Sequence, residues 1–285
     1  MDDAGAWVVS SCADLGLAVI VPGRQVHDRP WSHVVAYDLR YADRAHSRVW
    51  FKRNGIGTRH EPALILALGS LVPDLDPEVL AVDTGHAWSL TRDAGPTWRS
   101  AFGVADQWHL WEEILQRYAA AQLSLAARRA SLKATGIPER SPATLPGQAA
   151  EVVAELTGLG AGSGGLSTAG AEALAARLPA YGQGCRDLDA TGIPWSIQHD
   201  DLHSNNICGP GAGKDPATGS APGSRIIDWG DASVGHPFGT LLATLRSLAF
   251  HGDCDVDRSP GPTGPRCLSG AVHDVRTTAG ADHPG

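Results

Sequence analysis

Two short apolar runs that each end in acidic and amide side chains constrain this chain more than any other feature of it. The first, Ser196-Ile197-Gln198, leads into His199-Asp200-Asp201-Leu202-His203-Ser204-Asn205-Asn206, and the second, Arg225-Ile226-Ile227, leads into Asp228-Trp229-Gly230-Asp231. Strand-forming residues that run into Asp and Asn predict two short strands with polar loops at their ends. Segment 209–224, rich in Gly, Pro and Ser, predicts the loop between them. Only three asparagines occur in the chain, so an accidental H-x-D-x-x-x-x-N match has a chance on the order of one per cent. The added Asp228 lowers that chance further, which weakens the competing reading of a polar hairpin that merely uses Asp and Asn to turn.

The rest of the chain sets the frame for these runs. At 285 residues it exceeds one small core and predicts two lobes. Hydrophobic residues at 42% and charged residues at 19% are values that allow a packed core. The formal charge is −8, with no stripe of Lys or Arg, which argues against nucleic acid and for small ligands. Cys12, Cys185, Cys208, Cys254 and Cys267 form no C-x-x-C pair and predict reduced thiols in a cytoplasmic protein. Met1-Asp2-Asp3 lacks the positive region of a signal peptide, and Asp14 breaks the apolar stretch from Ala6 to Val21, so neither export nor a membrane span is expected.

Ser32 to Lys52 reads as two β-rich runs around a polar break, a hairpin with Lys52 at the end of its second strand. His60 to Leu71 reads as a helix that starts about Pro62, with Glu61 in its first turn. Ala87 to Asp93 reads as a strand that runs into Ala94-Gly95-Pro96, taken as the lobe boundary. Trp111, Ile114, Leu115 and Tyr118 share one face of a helix over Asp106–Leu125. Residues 157–170 predict a flexible loop, followed by an Ala/Leu-rich helix toward Asp189. After about Gly252 turn residues replace any apolar period, so a largely disordered tail is expected. The domain division is thus 1–93 for a nucleotide-binding lobe, 94–250 for a helical catalytic lobe and 251–285 for the tail.

A carboxylate followed five residues later by an amide, with a further carboxylate downstream, suits phosphoryl transfer. One carboxylate orients the acceptor and takes its proton, while amide and carboxylate oxygens hold Mg²⁺ against nucleotide phosphates. Asp201 fits the first task, and Asn206 and Asp228 fit the second. On these residues the chain resembles the aminoglycoside phosphotransferase and choline-kinase-like family: HDDLHSNN is similar to HGDLHPGN, and IIDWGDASVGHP is similar to IDW-G-D-A-x-x-G-D-P. Weaker likeness reaches back to about residue 49 through VWFK, HEPALILAL and WSLTRDAG. The resemblance implies an α+β, bilobal, kinase-like fold with a small antiparallel-sheet lobe and a mainly helical lobe. It also implies ATP and Mg²⁺ as cofactors and a small-molecule alcohol as acceptor. By motif position it makes Asp201 the catalytic carboxylate, Asn206 and Asp228 metal ligands, His199 a brace, Lys52 the phosphate-contacting lysine and Glu61 its helix partner.

Blander readings stand beside these roles, since a strand-end lysine is commonly solvated and a glutamate at a helix start commonly serves the dipole. Five departures from the family pattern are visible. Asp200 replaces a glycine, and His236 and Thr240 stand where acidic residues are usual. No Gly-rich loop precedes the first strand, where Arg29-Pro30-Trp31-Ser32 takes its place. The apolar helices expected beyond Leu248 are missing, so the second lobe looks truncated. Gly213-Lys214 resembles the end of a P-loop, but the first glycine of that motif falls on Cys208. Two other functions remain open on the sequence: a catalytically impaired nucleotide-binding protein, and a metal-dependent hydrolase built on His199, Asp201, His203 and Asp228.

Overall fold

The computed structural model describes residues 3–20, 22–40, 46–103, 108–209 and 223–252. Most of the 209–224 loop, Gly213-Lys214 and the tail after Gly252 lie outside the described residues.

The first part of the chain is a curled antiparallel sheet. Its strands are β1 (Ala18–Val19), β2 (Arg24–Arg29), β3 (Ser32–Arg40), β4 (His46–Asn54), β5 (Val79–Asp83) and β6 (Trp88–Arg92). The order is β1-β3-β4-β6-β5, with β2 also paired to β3. Successive side chains of a strand point to opposite faces, and the sequence obeys that period. Val35, Leu39, Val49, Phe51 and Leu90 turn to one face and meet Val8 and Cys12 of helix α1 (Asp3–Asp14) in a buried cluster. Val34, Trp50, Lys52, Ser89 and Thr91 turn to the other face, which lines a cleft. Helix α2 (Glu61–Leu71) has its proline in the first turn, where a missing N–H costs nothing. It buries Leu64, Ile65 and Leu68 against the second part of the chain.

That second part is mainly helical: α3 (Trp98–Ala101), α4 (Trp108–Ala126), α5 (Arg129–Lys133), α6 (Leu145–Leu159), α7 (Thr168–Ala175), α8 (Leu178–Asp189) and α9 (Thr240–Gly252). Trp111, Ile114 and Tyr118 of α4 are buried on one face, as their spacing predicts, with Leu115 partly buried. Short strands hold the loops of interest. β7 (Glu139–Arg140), β11 (Ser233–Gly235) and β8 (Ser196–Gln198) form one sheet in that order, and β9 (Ile207–Cys208) pairs with β10 (Arg225–Ile226) in another. Ser233, Val234 and Gly235 pair with Gln198, Ile197 and Ser196, so β8 and β11 run antiparallel. Gly235 is required there: a Cβ at this position would come within 2.5 Å of the Arg140 carbonyl oxygen.

One expectation needs correction. Residues 157–170 are not one flexible loop, because α6 continues through Thr157-Gly158-Leu159 and α7 begins at Thr168, with a short 3₁₀ turn at Ala161–Ser163 between them. Gly160, at φ +70° and ψ 160°, takes a backbone conformation open essentially to glycine alone and ends α6. The Ala/Leu-rich helix toward Asp189 is in fact two, α7 and α8. Among the described residues no helix is long and apolar enough to cross a membrane.

Candidate active site

A cleft of about 340 Å³ lies between the sheet and the β8–β11 region. Lys52 sits two residues before the end of β4, opposite Val34 and Ser89 in the neighbouring strands, and points into the cleft. Its Nζ lies 2.6 Å from Glu61 Oε2 on α2 and 2.5 Å from Asp228 Oδ1 at the end of β10. The structure thus brings together three residues separated by up to 176 positions. Glu61 also accepts a hydrogen bond from the Trp229 backbone N–H. Burial alone would lower the Lys52 pKa, but the two carboxylates outweigh it and hold the ammonium above its ordinary value. Desolvation opposes the charge on Asp228, yet Lys52 outweighs that and holds the carboxylate below its ordinary value.

Asp228 adopts φ +64°, so the chain turns sharply there and the short 3₁₀ turn Trp229–Asp231 follows. Gly230 lets this turn approach Thr58; a Cβ at Gly230 would lie 3.0 Å from a Thr58 side-chain atom.

The second half of the site is the loop after β8. His199 is fully buried, and its Nε2–H donates to the Ile227 carbonyl (2.9 Å) while Nδ1 accepts from the Asp201 N–H (3.3 Å). Burial lowers its pKa, so it stays neutral and ties the Asp201 loop to the residue before Asp228. Asn206 turns its amide nitrogen to Asp201, donating to Oδ2 at 3.1 Å and to the carbonyl at 2.9 Å. His203 Nε2 lies 3.3 Å from the same Oδ2, and this bond raises the His203 pKa. Exposure divides the carboxylates: Asp201 and Asp228 are 41% and 49% exposed, whereas Glu61 is 4% exposed. Asp228 therefore faces whatever enters the cleft, Asp201 is open to solvent beside the cleft-lining Asn206, and Glu61 is closed in against Lys52 and Trp229.

Several contributors gave no local sequence signal. Trp50, two residues before Lys52 on the cleft face, donates its indole N–H to Asp93 Oδ1 (2.8 Å) across the connection to the helical part. Asp76 is buried and accepts the indole N–H of Trp229, while its other oxygen has no partner among the described residues. Burial pushes the Asp76 carboxyl well above its usual range. Tyr118 and Thr240 hydroxyls lie 2.9 Å apart, and both accept from the His199 backbone N–H. Thr240 thus anchors the loop through hydroxyl bonds at the place where the resemblance expects acidic bracing. In the β2–β3 turn that replaces a glycine-rich loop, the Trp31 carbonyl accepts from Gly55 N (2.7 Å) and Thr58 Oγ1 (2.9 Å).

No family model and no curated protein matches the chain in sequence. Solved structures do match in shape. A macrolide 2'-phosphotransferase from Brachybacterium faecium is 16% identical, with 96% of this chain and 89% of that one covered at a TM-score of 0.51. A type I macrolide 2'-phosphotransferase is 14% identical over 90% of this chain and 83% of its own, again at 0.51. An ethanolamine kinase from Plasmodium vivax is 12% identical over 87% of this chain and 65% of its own, at 0.50. The fold is that of the kinase-like phosphotransferases. In this kinase-like fold the sheet corresponds to the small lobe and the α4–α9 region to the helical lobe, as the sequence resemblance implies.

Proposed function

We propose that the protein transfers the γ-phosphoryl group of ATP to a hydroxyl of a small molecule, with Mg²⁺ as the metal. The observation that carries this reading is the meeting of Lys52, Glu61 and Asp228 at one wall of the cleft, with Asp201 and Asn206 in the loop braced through His199. The donor set fits the groups concerned. A buried ammonium held by two carboxylates is a fixed positive charge suited to α/β-phosphate oxygens. Asn206 commits its nitrogen to Asp201, so its amide oxygen and the exposed Asp228 carboxylate are the hard oxygen donors that Mg²⁺ takes alongside phosphates and water. Such a site needs few protein ligands, in keeping with the lack of any three-residue metal cluster among the described residues.

Bound there, Mg²⁺ would neutralise charge on the phosphates. In the reaction the acceptor oxygen bonds to the γ-phosphorus, the bond from that phosphorus to the β–γ bridging oxygen breaks, and ADP leaves. The Asp201 carboxylate orients the hydroxyl and accepts its proton. His203 and Asn206 share one oxygen of Asp201, which fixes the carboxylate plane. Lys52 holds the nucleotide, Glu61 holds Lys52, and His199 keeps the two loops in register. The nucleotide lobe ends near Asp93 and the catalytic lobe occupies 94–250.

A phosphate-transfer screen over aminoglycosides, macrolides, sugars, amino alcohols and nucleosides tests the activity. With an acceptor in hand, Asp201→Asn should lower turnover by about 10²–10⁴-fold with Mg·ATP affinity nearly unchanged by calorimetry. Asp228→Ala should weaken Mg·ATP binding as well. Equal loss of nucleotide binding in Asp201→Asn would remove it from the acceptor's side. Nucleotide binding without transfer to any acceptor would favour the impaired protein, and tightly held zinc would favour the hydrolase.

A further inference from the structure

Asp200 is the residue that breaks the family pattern next to the proposed catalytic carboxylate. It adopts φ +61°, a region that suits glycine and costs an L-residue, although Asp and Asn tolerate it better than most. A strained non-glycine residue persists where its surroundings hold it, and here two donors do. Ser233 Oγ, fully buried on β11, donates to Asp200 Oδ2 at 2.5 Å, and Arg140 Nη1 on β7 donates to the same oxygen at 3.2 Å. β7 lies beside β11, which in turn pairs with β8, the strand that feeds the loop. The Asp200 carboxylate therefore bolts the start of the loop back onto the sheet from which it emerges.

We propose that Asp200 and Arg140 form a positioning clamp that fixes the backbone from which Asp201 is presented. A glycine at this position leaves the φ, ψ pair free to move. An aspartate held from β7 and β11 does not, so the direction of the Asp201 side chain is set before any acceptor arrives. The remaining contacts of Asp201 act on other atoms: His199 accepts its N–H, Asn206 donates to its carbonyl, and His203 and Asn206 hold its carboxylate. The clamp adds a further anchor, one residue upstream. β7 is held in turn, since the Glu139 carbonyl accepts from Gln148 Nε2 near the start of α6. Asp200 and Arg140 are positioning residues, and the consequence for turnover rests on the proposed transferase reading.

Amide hydrogen exchange of the intact chain tests the clamp without reference to activity. Arg140→Gln and Asp200→Gly should each speed exchange of the 201–206 amides by about tenfold; Arg140→Gln should keep the thermal midpoint within about 2 °C of the parent, whereas Asp200→Gly also strands the buried Ser233 hydroxyl and should lower it. Asp200→Asn keeps the Ser233 bond and tolerates the positive φ, so its exchange should fall between. Once an acceptor is known, both clamp variants should lose about tenfold in kcat with KM for Mg·ATP unchanged. Unchanged exchange in Arg140→Gln overturns the clamp even if Asp200→Gly loosens the loop, because glycine adds freedom of its own. Faster exchange with unaltered kcat overturns its part in presenting Asp201. A parent protein that transfers no phosphate defeats the transferase reading, and the exchange rates alone then decide the clamp.

Discussion

Ser196, Gln198, His199 and Ser233 are each no more than 2% exposed and every one is hydrogen bonded, whereas α6 and α7, earlier in the chain, contain no fully buried residue. The loop-bearing strands are fixed by polar groups that cannot be deleted without stranding a partner away from water. The outlying helices are held by partial burial, with Val152 at 52%, Leu159 at 56% and Leu174 at 41% exposure. The difference teaches where this architecture can change. A region specified by paired polar atoms tolerates little alteration, and one specified by half-buried aliphatic contacts can be resurfaced.

The sharpest test of that contrast is Gln122→Ala. Gln122 is 7% exposed, and its Nε2 donates to the carbonyls of Ile197 (2.8 Å) and Pro237 (3.0 Å), so removal strands the Pro237 carbonyl, while the Ile197 carbonyl keeps Tyr118 and Gln198 as donors. A loss of about 2 kcal/mol in denaturant unfolding is expected; a loss below about 0.5 kcal/mol would erase the distinction between the regions.

Asp76 is an exception inside the ordered region, and its expected effect is smaller and opposite in sign. Its folded pKa is raised by burial, so the folded state binds a proton that the unfolded chain releases above about pH 4. Stability therefore falls as pH rises from that point toward the folded pKa. Asp76→Asn retains an acceptor oxygen for the Trp229 indole and removes the titration. It should raise the thermal midpoint at pH 7–8 while leaving it near the parent value at pH 4. A variant less stable than the parent at both pH values would show that the carboxyl itself is needed.

The smallest effect belongs to the helices: Val152→Ser with Leu174→Ser should shift stability by no more than about 0.5 kcal/mol per site. A cooperative loss of more than about 2 kcal/mol in the double variant would mean that α6 and α7 carry a core function their exposure hides.

Legibility in the sequence followed how local each signal was. The loop residues His199, Asp201, Asn206 and Asp228 were readable because their chemistry sits at fixed short spacing beside strand-forming residues. The partnership of Lys52 with Glu61 was readable only through resemblance, since a lysine on a strand does not name the carboxylate it will meet. Helix α1 and strand β5 were missed. The apolar run of α1 was weighed only as a leader or a membrane span, and β5 is partly buried along its whole length with no alternation to detect. The helix through Gly158 was misread because glycine's low propensity was weighed over the Leu156 and Leu166 backbone bond that closes this turn. Asp76, Tyr118, Thr240 and Gln122 lie 41 to 153 residues from their partners, a separation at which only the folded chain reveals the pairing.

The Trp31 carbonyl, gripped by Gly55 and Thr58, has a mechanical consequence. Thr58 also rests against Gly230, so the β2–β3 turn, the approach to α2 and the segment after Asp228 touch in a single stack. A glycine-rich flap could lift by itself while the residues beneath stayed still. Here the turn is latched to its neighbour, so it cannot lift without also moving the approach to α2.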